Sequence, residues 1–183
     1  MKKRLLSTLC ALALCLSLLP LSAQAVENYD LWIGGEAVTS ENAADVLGDG
    51  TVSYDPQTQT LTLKNAQLDY DASLQRRAVI DARMQEGLNI VLEGSNRITL
   101  QIDQTNPGKS VSCIRSDYDL TFSQTEQGGS LTAEIACPAT CINAQGSIRF
   151  LSGTYDLSAL DGNVVVAQDQ LNITGTAKLT IRS

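Results

Sequence analysis

Short apolar strands recur through most of this chain, and they constrain its fold more than any other feature. A first strand of alternating apolar and polar residues begins at residues 61, 88, 120, 148 and 171, which are 27, 32, 28 and 23 residues apart. A turn, a second strand, a polar loop of variable length and a third strand follow each time. The second strands are Leu68–Tyr70, Ile98–Leu100, Leu131–Ala133, Tyr155–Leu157 and Leu179–Ile181, and the third are Val79–Ala82, Cys113–Ser116, Cys141–Ala144 and Val165–Ala167.

Three alternating strands per repeat are typical of a parallel β-helix. Alternate side chains of a strand point to opposite faces, so apolar residues fill a tube and polar residues cover it. Each strand then pairs with its equivalent one turn away, which would stack Ile80, Ile114, Ile142 and Val166. We predict an all-β fold: a single-stranded parallel β-helix of about five coils over residues 60–183. An antiparallel sandwich of short strands is the alternative, but it does not explain the recurring order.

Residues 26–59 have a different pattern. A strand at Tyr29–Ile33 ends at two glycines, and Thr39 and Ser40 are good N-caps for a two-turn helix over residues 41–47. A hairpin with a proline turn follows over residues 51–63. A β-helix exposes an unpaired strand edge at its end. We therefore predict that this strand, helix and hairpin form an N-terminal cap in one domain with the coils.

The first 25 residues read as a secretory signal peptide. A basic head, an apolar run over residues 5–19 and small residues before a cleavage point after Ala25 are its three parts. The run is shorter than the roughly 20 residues that span a bilayer. The sequence therefore predicts a secreted or cell-surface protein with no membrane insertion after cleavage.

Charge and composition exclude several functions. Cleavage removes three of 13 basic residues and none of 20 acidic ones, which leaves a net charge of −10. Such a chain will not hold a nucleic acid backbone by electrostatic attraction. Histidine is absent, so the commonest general base and the commonest zinc ligand are missing.

The segment YDLWIGGEAVTSENAADVLGDGTVSYDPQTQTLTLKNA, residues 29–66, resembles the opening of bacterial secreted carbohydrate-binding domains. The coil motifs at residues 119–122, 129–133 and 141–144 are similar to those of the same family. The resemblance implies a right-handed parallel β-helix that is like pectate lyases in fold but is not catalytic. Described members bind acidic plant polysaccharides and calcium. No ligand residue can be transferred individually.

Outward positions of the second strands are the candidate ligand-binding residues. Stacking predicts one column of Asp69, Thr99, Thr132 and Asp156, continued by Thr180, and a neighbouring column of Asp71, Gln101 and Glu134, continued by Ser158. Aligned strands repeat about every 4.8 Å, which makes this face a flat array of oxygen atoms. Such an array suits a hydroxyl-rich polymer or calcium, although any soluble β-helix carries polar residues outside.

Two further candidates come from short patterns. Asp117 and Asp119 place two carboxylates just before a strand. They are candidate metal ligands, with calcium as the candidate cofactor, or part of a solvated loop. Three cysteines remain after cleavage. Cys113 and Cys141 occupy equivalent points of adjacent coils and are the favoured disulfide, Cys137 with Cys141 competes, and buried free thiols are the third possibility.

We therefore predict a non-catalytic protein that binds extracellular polysaccharide, with calcium as a candidate helper. A lyase or hydrolase is the enzymatic alternative. Arg115 and Arg149 project from strands, but no recognisable carboxylate pair accompanies them. A structural or adhesive surface module is the other alternative. It would pair with a protein partner, or with itself, through an open C-terminal edge.

Overall fold

The computed structural model describes residues 25–71, 76–101 and 111–183, and these residues form an all-β structure without a helix. Nearly all of the predicted signal peptide lies outside the described residues. In the described ranges no helix is long and apolar enough to cross a membrane. The strands are β1 Asn28–Ile33, β2 Glu36–Thr39, β3 Val52–Asp55, β4 Thr60–Lys64, β5 Gln67–Tyr70, β6 Ala78–Ala82, β7 Leu88–Leu100, β8 Ser112–Ser116, β9 Leu120–Ile135, β10 Thr140–Ala144, β11 Ile148–Phe150, β12 Thr154–Ala159, β13 Val165–Ala167, β14 Leu171–Ile173 and β15 Lys178–Arg182.

Equivalent strands of successive repeats pair in parallel. The predicted third strands form one sheet in the order β13-β10-β8-β6, which β1 and β2 extend. The first strands form a second sheet in the order β14-β11-β9-β7-β4-β3. The second strands pair in parallel as β5 with β7, and as β15 with β12 and β12 with β9. This topology is compatible with a parallel β-helix and contradicts the antiparallel sandwich.

Most of the predicted register of the first strands is confirmed. Leu88 pairs with Leu120, which pairs with Ile148. The first spacing was wrong by two residues, because Leu61 pairs with Ile90 rather than with Leu88. Leu88, Ile90 and Leu92 are apolar residues at alternate, buried positions, so the sequence pattern fits both registers. A two-residue shift keeps every side chain on its own face, which is why the core prediction survives.

The third strands are also mostly in the predicted register. Ile80 pairs with Ile114, and Ile114 with Ile142. The last step differs, because Val165 rather than Val166 pairs with Ile142. Three consecutive valines, residues 164–166, leave the sequence ambiguous at this point.

The second strand of the third repeat is shifted by two residues from its predicted register against the second strand of the second repeat. Ile98 pairs with Ala133, and Asn96 takes the place opposite Leu131. The cause is an irregularity after Leu92, where the turn inside β9 is longer than the turn inside β7. Gly129 closes this longer turn, and a Cβ atom there would collide with the carbonyl oxygen of Leu92. The sequence prediction aligned apolar residues with one another, so it could not place Asn96 at the buried position opposite Leu131.

The amide of Asn96 is buried and bonds to the repeats on both sides. Its Oδ1 accepts a hydrogen bond from the backbone N–H of Ala66 at 2.9 Å, and its Nδ2 donates to the carbonyl oxygen of Ser130 at 3.1 Å. Nδ2 also lies 3.3 Å from the carbonyl oxygen of Glu93 in its own turn. One side chain therefore satisfies backbone groups of three successive repeats.

The predicted helix over residues 41–47 is wrong, because this segment forms turns. Polar groups of this segment bond to the outer edges of β2 and β3 instead. The Asn42 side chain accepts from the N–H of Thr39 and donates to the carbonyl oxygen of Ala37, both in β2. Along β3, the N–H of Val46 donates to Val52, and the carbonyl oxygen of Ala43 accepts from Tyr54. In a helix over these residues, the N–H of Val46 and the carbonyl oxygen of Ala43 would bond within the helix and could not reach β3.

Aromatic rings fill the interior where β9, β11 and β12 meet. Phe122 and Phe150 are stacked with ring centroids 4.8 Å apart. The Tyr155 ring meets both at a steep angle, with its centroid 4.7 Å from that of Phe150. Burial raises the pKa of the Tyr155 phenol well above its ordinary value. The interior layer ends after this cluster, because Leu171, Ile173 and Ile181 are about half exposed.

Replacing Asn96 with leucine tests the buried amide. Leucine has a similar volume but leaves the N–H of Ala66 and the carbonyl oxygen of Ser130 without their partner, so we expect the free energy of unfolding to fall by roughly 2–4 kcal/mol. Urea denaturation measures the change. Asn89→Leu is the matched control, since the Asn89 amide makes an exposed bond to Thr58. Equal losses in both variants would contradict the role of Asn96.

Candidate binding site

An open groove of about 610 Å³ lies on the outer side of β5 and the second half of β7. Parallel pairing places Gln67 beside Arg97 and Asp69 beside Thr99, and the chain continues from these strands to Asp71 and Gln101. Almost all of the lining groups are carboxylates, amides, a hydroxyl and a guanidinium. The lining residues are Gln67, Asp69, Tyr70, Asp71, Arg97, Thr99 and Gln101.

The centre of the groove is held by ionic and hydrogen bonds between repeats. The hydroxyl of Thr99 donates to Oδ1 of Asp69. The Nε of Arg97 lies 3.9 Å from the same oxygen, and its Nη2 lies 2.9 Å from Oε2 of Glu134. The Arg97 guanidinium therefore stands between two carboxylates of neighbouring repeats. Two carboxylates and one guanidinium leave this cluster with a net charge of −1.

Tyr70 gives the groove its one aromatic side chain, and a glycine turn sets the position of its ring. Gly34 has a φ of +59°, and a Cβ atom there would collide with the Tyr70 hydroxyl. Burial raises the pKa of that hydroxyl, with smaller contributions from Glu36 and Asp49. The phenol is therefore neutral at physiological pH and can both donate and accept a hydrogen bond.

The groove contains four of the predicted ligand-binding residues and leaves out three. Asp69, Asp71, Thr99 and Gln101 line it, whereas Thr132, Glu134 and Asp156 belong to later repeats. The predicted columns were wrong at the step from β7 to β9, because the longer turn in β9 shifts the register there. The later steps, from Thr132 to Asp156 and from Glu134 to Ser158, are confirmed. One observed column is Gln67, Arg97, Thr132, Asp156 and Thr180, and the other is Asp69, Thr99, Glu134, Ser158 and Arg182.

Gln67, Tyr70 and Arg97 were missed as groove residues. Gln67 and Arg97 occupy outward positions two residues before Asp69 and Thr99, so an extension of the outward pattern by one step would have found them. Tyr70 carried no such signal, because its alternation predicts an inward side chain. Farther along the face, Arg182 lies 2.8 Å from Asp156, so an arginine accompanies the carboxylates there too.

The two predicted metal ligands have different arginine partners. Asp117 lies 2.6 Å from Nη2 of Arg115. Asp119 lies 2.7 Å from Nη1 of Arg149 and accepts a hydrogen bond of 2.7 Å from the N–H of Ser147. No group of three or more histidine, cysteine, aspartate or glutamate side chains is arranged for a metal ion within the described ranges. Calcium binding by Asp117 and Asp119 remains a prediction.

A second charged cluster lies on the sheet that contains β6 and β8. The Asp81 carboxylate is fully buried and pairs with Arg83 at 2.8 Å and with Arg115 at 3.2 Å. Trp32 pairs with Asp81 on the neighbouring strand, and the Arg76 guanidinium lies 3.9 Å from the centre of its ring. Arg115, considered above for a lyase, thus holds two carboxylates in place. In this arrangement Arg115 is a structural partner of Asp81 and Asp117.

The three cysteines are free, buried thiols in this structure. The pairs Ser112 with Thr140 and Ile114 with Ile142 place Cys113 beside Cys141 on adjacent strands, as predicted. A hydrogen bond with Cys141 and burial raise the pKa of the Cys113 thiol well above its ordinary value. The predicted bridge is not formed here, and the pairing remains a prediction.

Comparison with known proteins gives no relative: no family model, no curated protein and no solved structure matches this chain.

The bonds to Asp119 make the stability of the fold depend on pH. Its pKa is lowered from the ordinary 3.8, first by the N–H of Ser147 and then by Arg149. A lowered pKa stabilises the fold above the unfolded-state pKa, and this contribution is lost as pH falls through the folded-state value. We expect Asp119→Asn to lower the melting temperature at pH 7, with the difference shrinking below about pH 4. Glu126→Gln, in the exposed turn of β9, is the control. A difference that is constant with pH would contradict this account.

The cysteine register predicts one specific bridge. Neighbouring parallel strands lie about 4.8 Å apart, within the range of a disulfide. After mild oxidation of the folded protein, we expect peptide mapping without reductant to find Cys113 linked to Cys141. Cys137→Ser should leave that link intact. Recovery of a peptide linked through Cys137 would favour the competing pair.

Proposed function

We propose that this protein binds extracellular polysaccharide through the groove without catalysing a reaction. The observation that carries the proposal is the lining of an open groove by hydrogen-bonding side chains from two repeats. Ligand sites need convergent polar groups that fix orientation, and a hydroxyl-rich polymer offers partners to all of them. Tyr70 supplies a ring edge or face for contact with a sugar ring.

We also propose the finer details of the fold, which are its handedness, its number of coils and its N-terminal cap. The parallel sheets support a right-handed β-helix of about five coils, and residues 26–59 support an N-terminal cap that covers the edges of the first strands. The signal-peptide pattern of residues 1–25 supports export to the extracellular space or cell surface. The resemblance of residues 29–66 to secreted carbohydrate-binding domains points in the same direction.

The charges favour a binding mode that does not depend on calcium alone. Arg97 already neutralises part of the field of Asp69 and Glu134, so these carboxylates gain less from a cation than free ones would. Hydrogen bonds with the amides of Gln67 and Gln101, and with the Thr99 hydroxyl oxygen as an acceptor, would then carry recognition. Each exposed hydrogen bond contributes little, so we expect weak binding at one site and tighter binding of a polymer that engages several molecules.

A glycan array tests the proposal. The chain from residue 26 onwards is applied with calcium and with chelator, and captured polysaccharides are assayed for new reducing ends. We expect signal on at least one polysaccharide, little change with chelator and no new reducing ends. Signal that vanishes with chelator would move recognition to a calcium site. A blank array would overturn the proposal, and new reducing ends would show an enzyme.

Variants then locate the site. The double change Gln67→Ala and Gln101→Ala removes two groove amides, and we expect binding to weaken roughly ten- to a hundredfold. Thr132→Ala is the control on the same outer face but outside the groove. Equal weakening by both would indicate that the ligand covers the whole face rather than the groove.

A further inference from the structure

The first repeat leaves the edge of one of its three strands unpaired. Its first strand, β4, is covered by β3, and its third strand, β6, is covered by β1. The second strand, β5, pairs with β7 alone, and no strand of the described ranges lies on its other side. An unpaired edge is a template on which another extended chain can add as a strand.

The hydrogen bonds between β5 and β7 show which backbone groups point to this free edge. Gln67 pairs with Arg97, and the N–H of Arg97 donates to the carbonyl oxygen of Ala66. In a parallel pair this pattern directs the N–H and C=O groups of Gln67 and Asp69 away from β7. Among the described residues none of these four groups has a hydrogen-bond partner. The edge therefore offers two donors and two acceptors to an added strand.

The surroundings of the free edge are acidic. The Asp69 side chain is 65% exposed, and it shares its arginine partner, Arg97, with a second carboxylate. Glu36 and Asp49 are exposed, and they lie close enough to Tyr70 for their charges to contribute to its raised pKa. Neither forms an ion pair within the part of the chain that the structure describes. A strand with basic side chains would therefore be attracted, whereas a second copy of the same edge would be repelled.

The covering strands of the first repeat indicate how an added strand would lie. β1 and β3 both run antiparallel to the strands that they cover. In an antiparallel pair, residues that exchange both hydrogen bonds lie directly opposite each other, with their side chains on one face. Residues opposite Gln67 and Asp69 would thus point outward, where a lysine or arginine reaches the Asp69 carboxylate. The residue between them would point inward beside the buried Leu68, which favours an apolar side chain.

We propose that β5 binds an extended peptide segment of alternating basic and apolar residues, which adds to the free edge as an antiparallel strand. The proposal does not rest on polysaccharide binding, because backbone groups of Gln67 and Asp69 carry it. Their side chains line the groove, so a bound strand would widen the outer face beside the groove by about 4.8 Å.

A designed peptide tests the proposal on the chain from residue 26 onwards, without polysaccharide. The probe is a fluorescently labelled, acetylated and amidated heptapeptide of alternating lysine and valine, and fluorescence anisotropy measures its binding. We expect saturable binding of this peptide and none of the same peptide with glutamate in place of lysine. Equal binding of both peptides, or binding of neither, would overturn the proposal.

A charge reversal locates the peptide on the protein. Asp69→Lys removes the acid opposite a peptide lysine, and we expect the dissociation constant to rise at least about tenfold. Glu126→Lys makes the same change in the exposed turn of β9 and is the matched control. Equal weakening by both variants would indicate general attraction to an acidic protein and would contradict a site at β5.

Peptides methylated on their backbone nitrogens test the strand pairing on the unaltered protein. In the antiparallel arrangement the N–H groups of the lysines opposite Gln67 and Asp69 face β5, and those of the valines face away. Methylation of the lysine nitrogens should abolish binding, and methylation of the valine nitrogens should preserve most of it. Any other pattern would overturn the antiparallel pairing.

Sedimentation velocity distinguishes a peptide partner from a second copy of this chain. We expect the heptapeptide to bind without changing the oligomeric state. A self-associated form that the peptide dissociates would show that another copy occupies the edge of β5, and it would overturn the proposal of a separate partner.

Discussion

Each repeat of this protein satisfies its backbone hydrogen bonds mainly through the repeats before and after it. The three short strands of one repeat do not form a sheet with one another. Their backbone hydrogen bonds are made with the repeats on either side, as in the pairing of Leu88 with Leu120 and of Leu120 with Ile148. The apolar interior depends on this register, because only aligned strands bring their inward side chains together. The groove depends on it as well, since its two walls come from different repeats.

Much of the fold was predictable, because the alternation of apolar residues survives a shift of two. The sequence predicts which residues face inward and which three strands make a repeat, and the parallel sheets agree. It could not decide the register of Leu61, where an apolar run offers two equivalent partners. It also missed Asn96, because a polar residue at an inward position is recognisable only once the backbone groups around it are known.

The candidate site was partly predictable for the same reason. Asp69, Asp71, Thr99 and Gln101 come from adjacent strands before the irregular turn, and they meet in the groove. Thr132 and Asp156 lie beyond that turn, where the alignment slips. The sequence also gave no sign that arginines of neighbouring repeats would partner the carboxylates. Arg97 and Glu134 are 37 residues apart in the chain, and only the observed register makes them neighbours.

The closure of β3 by a tight hairpin has a consequence for how the chain reaches its native state. Asp55 and Thr60 pair across a loop of a few residues, whereas the parallel partners Ile148 and Leu171 are 23 positions apart. Closing a long loop costs more entropy than closing a short one. The antiparallel strands thus provide the cheapest nucleus, and each later repeat adds to a template already in place. Because that nucleus is at the amino-terminal side of the repeats, folding can proceed in the order in which the ribosome releases the polypeptide.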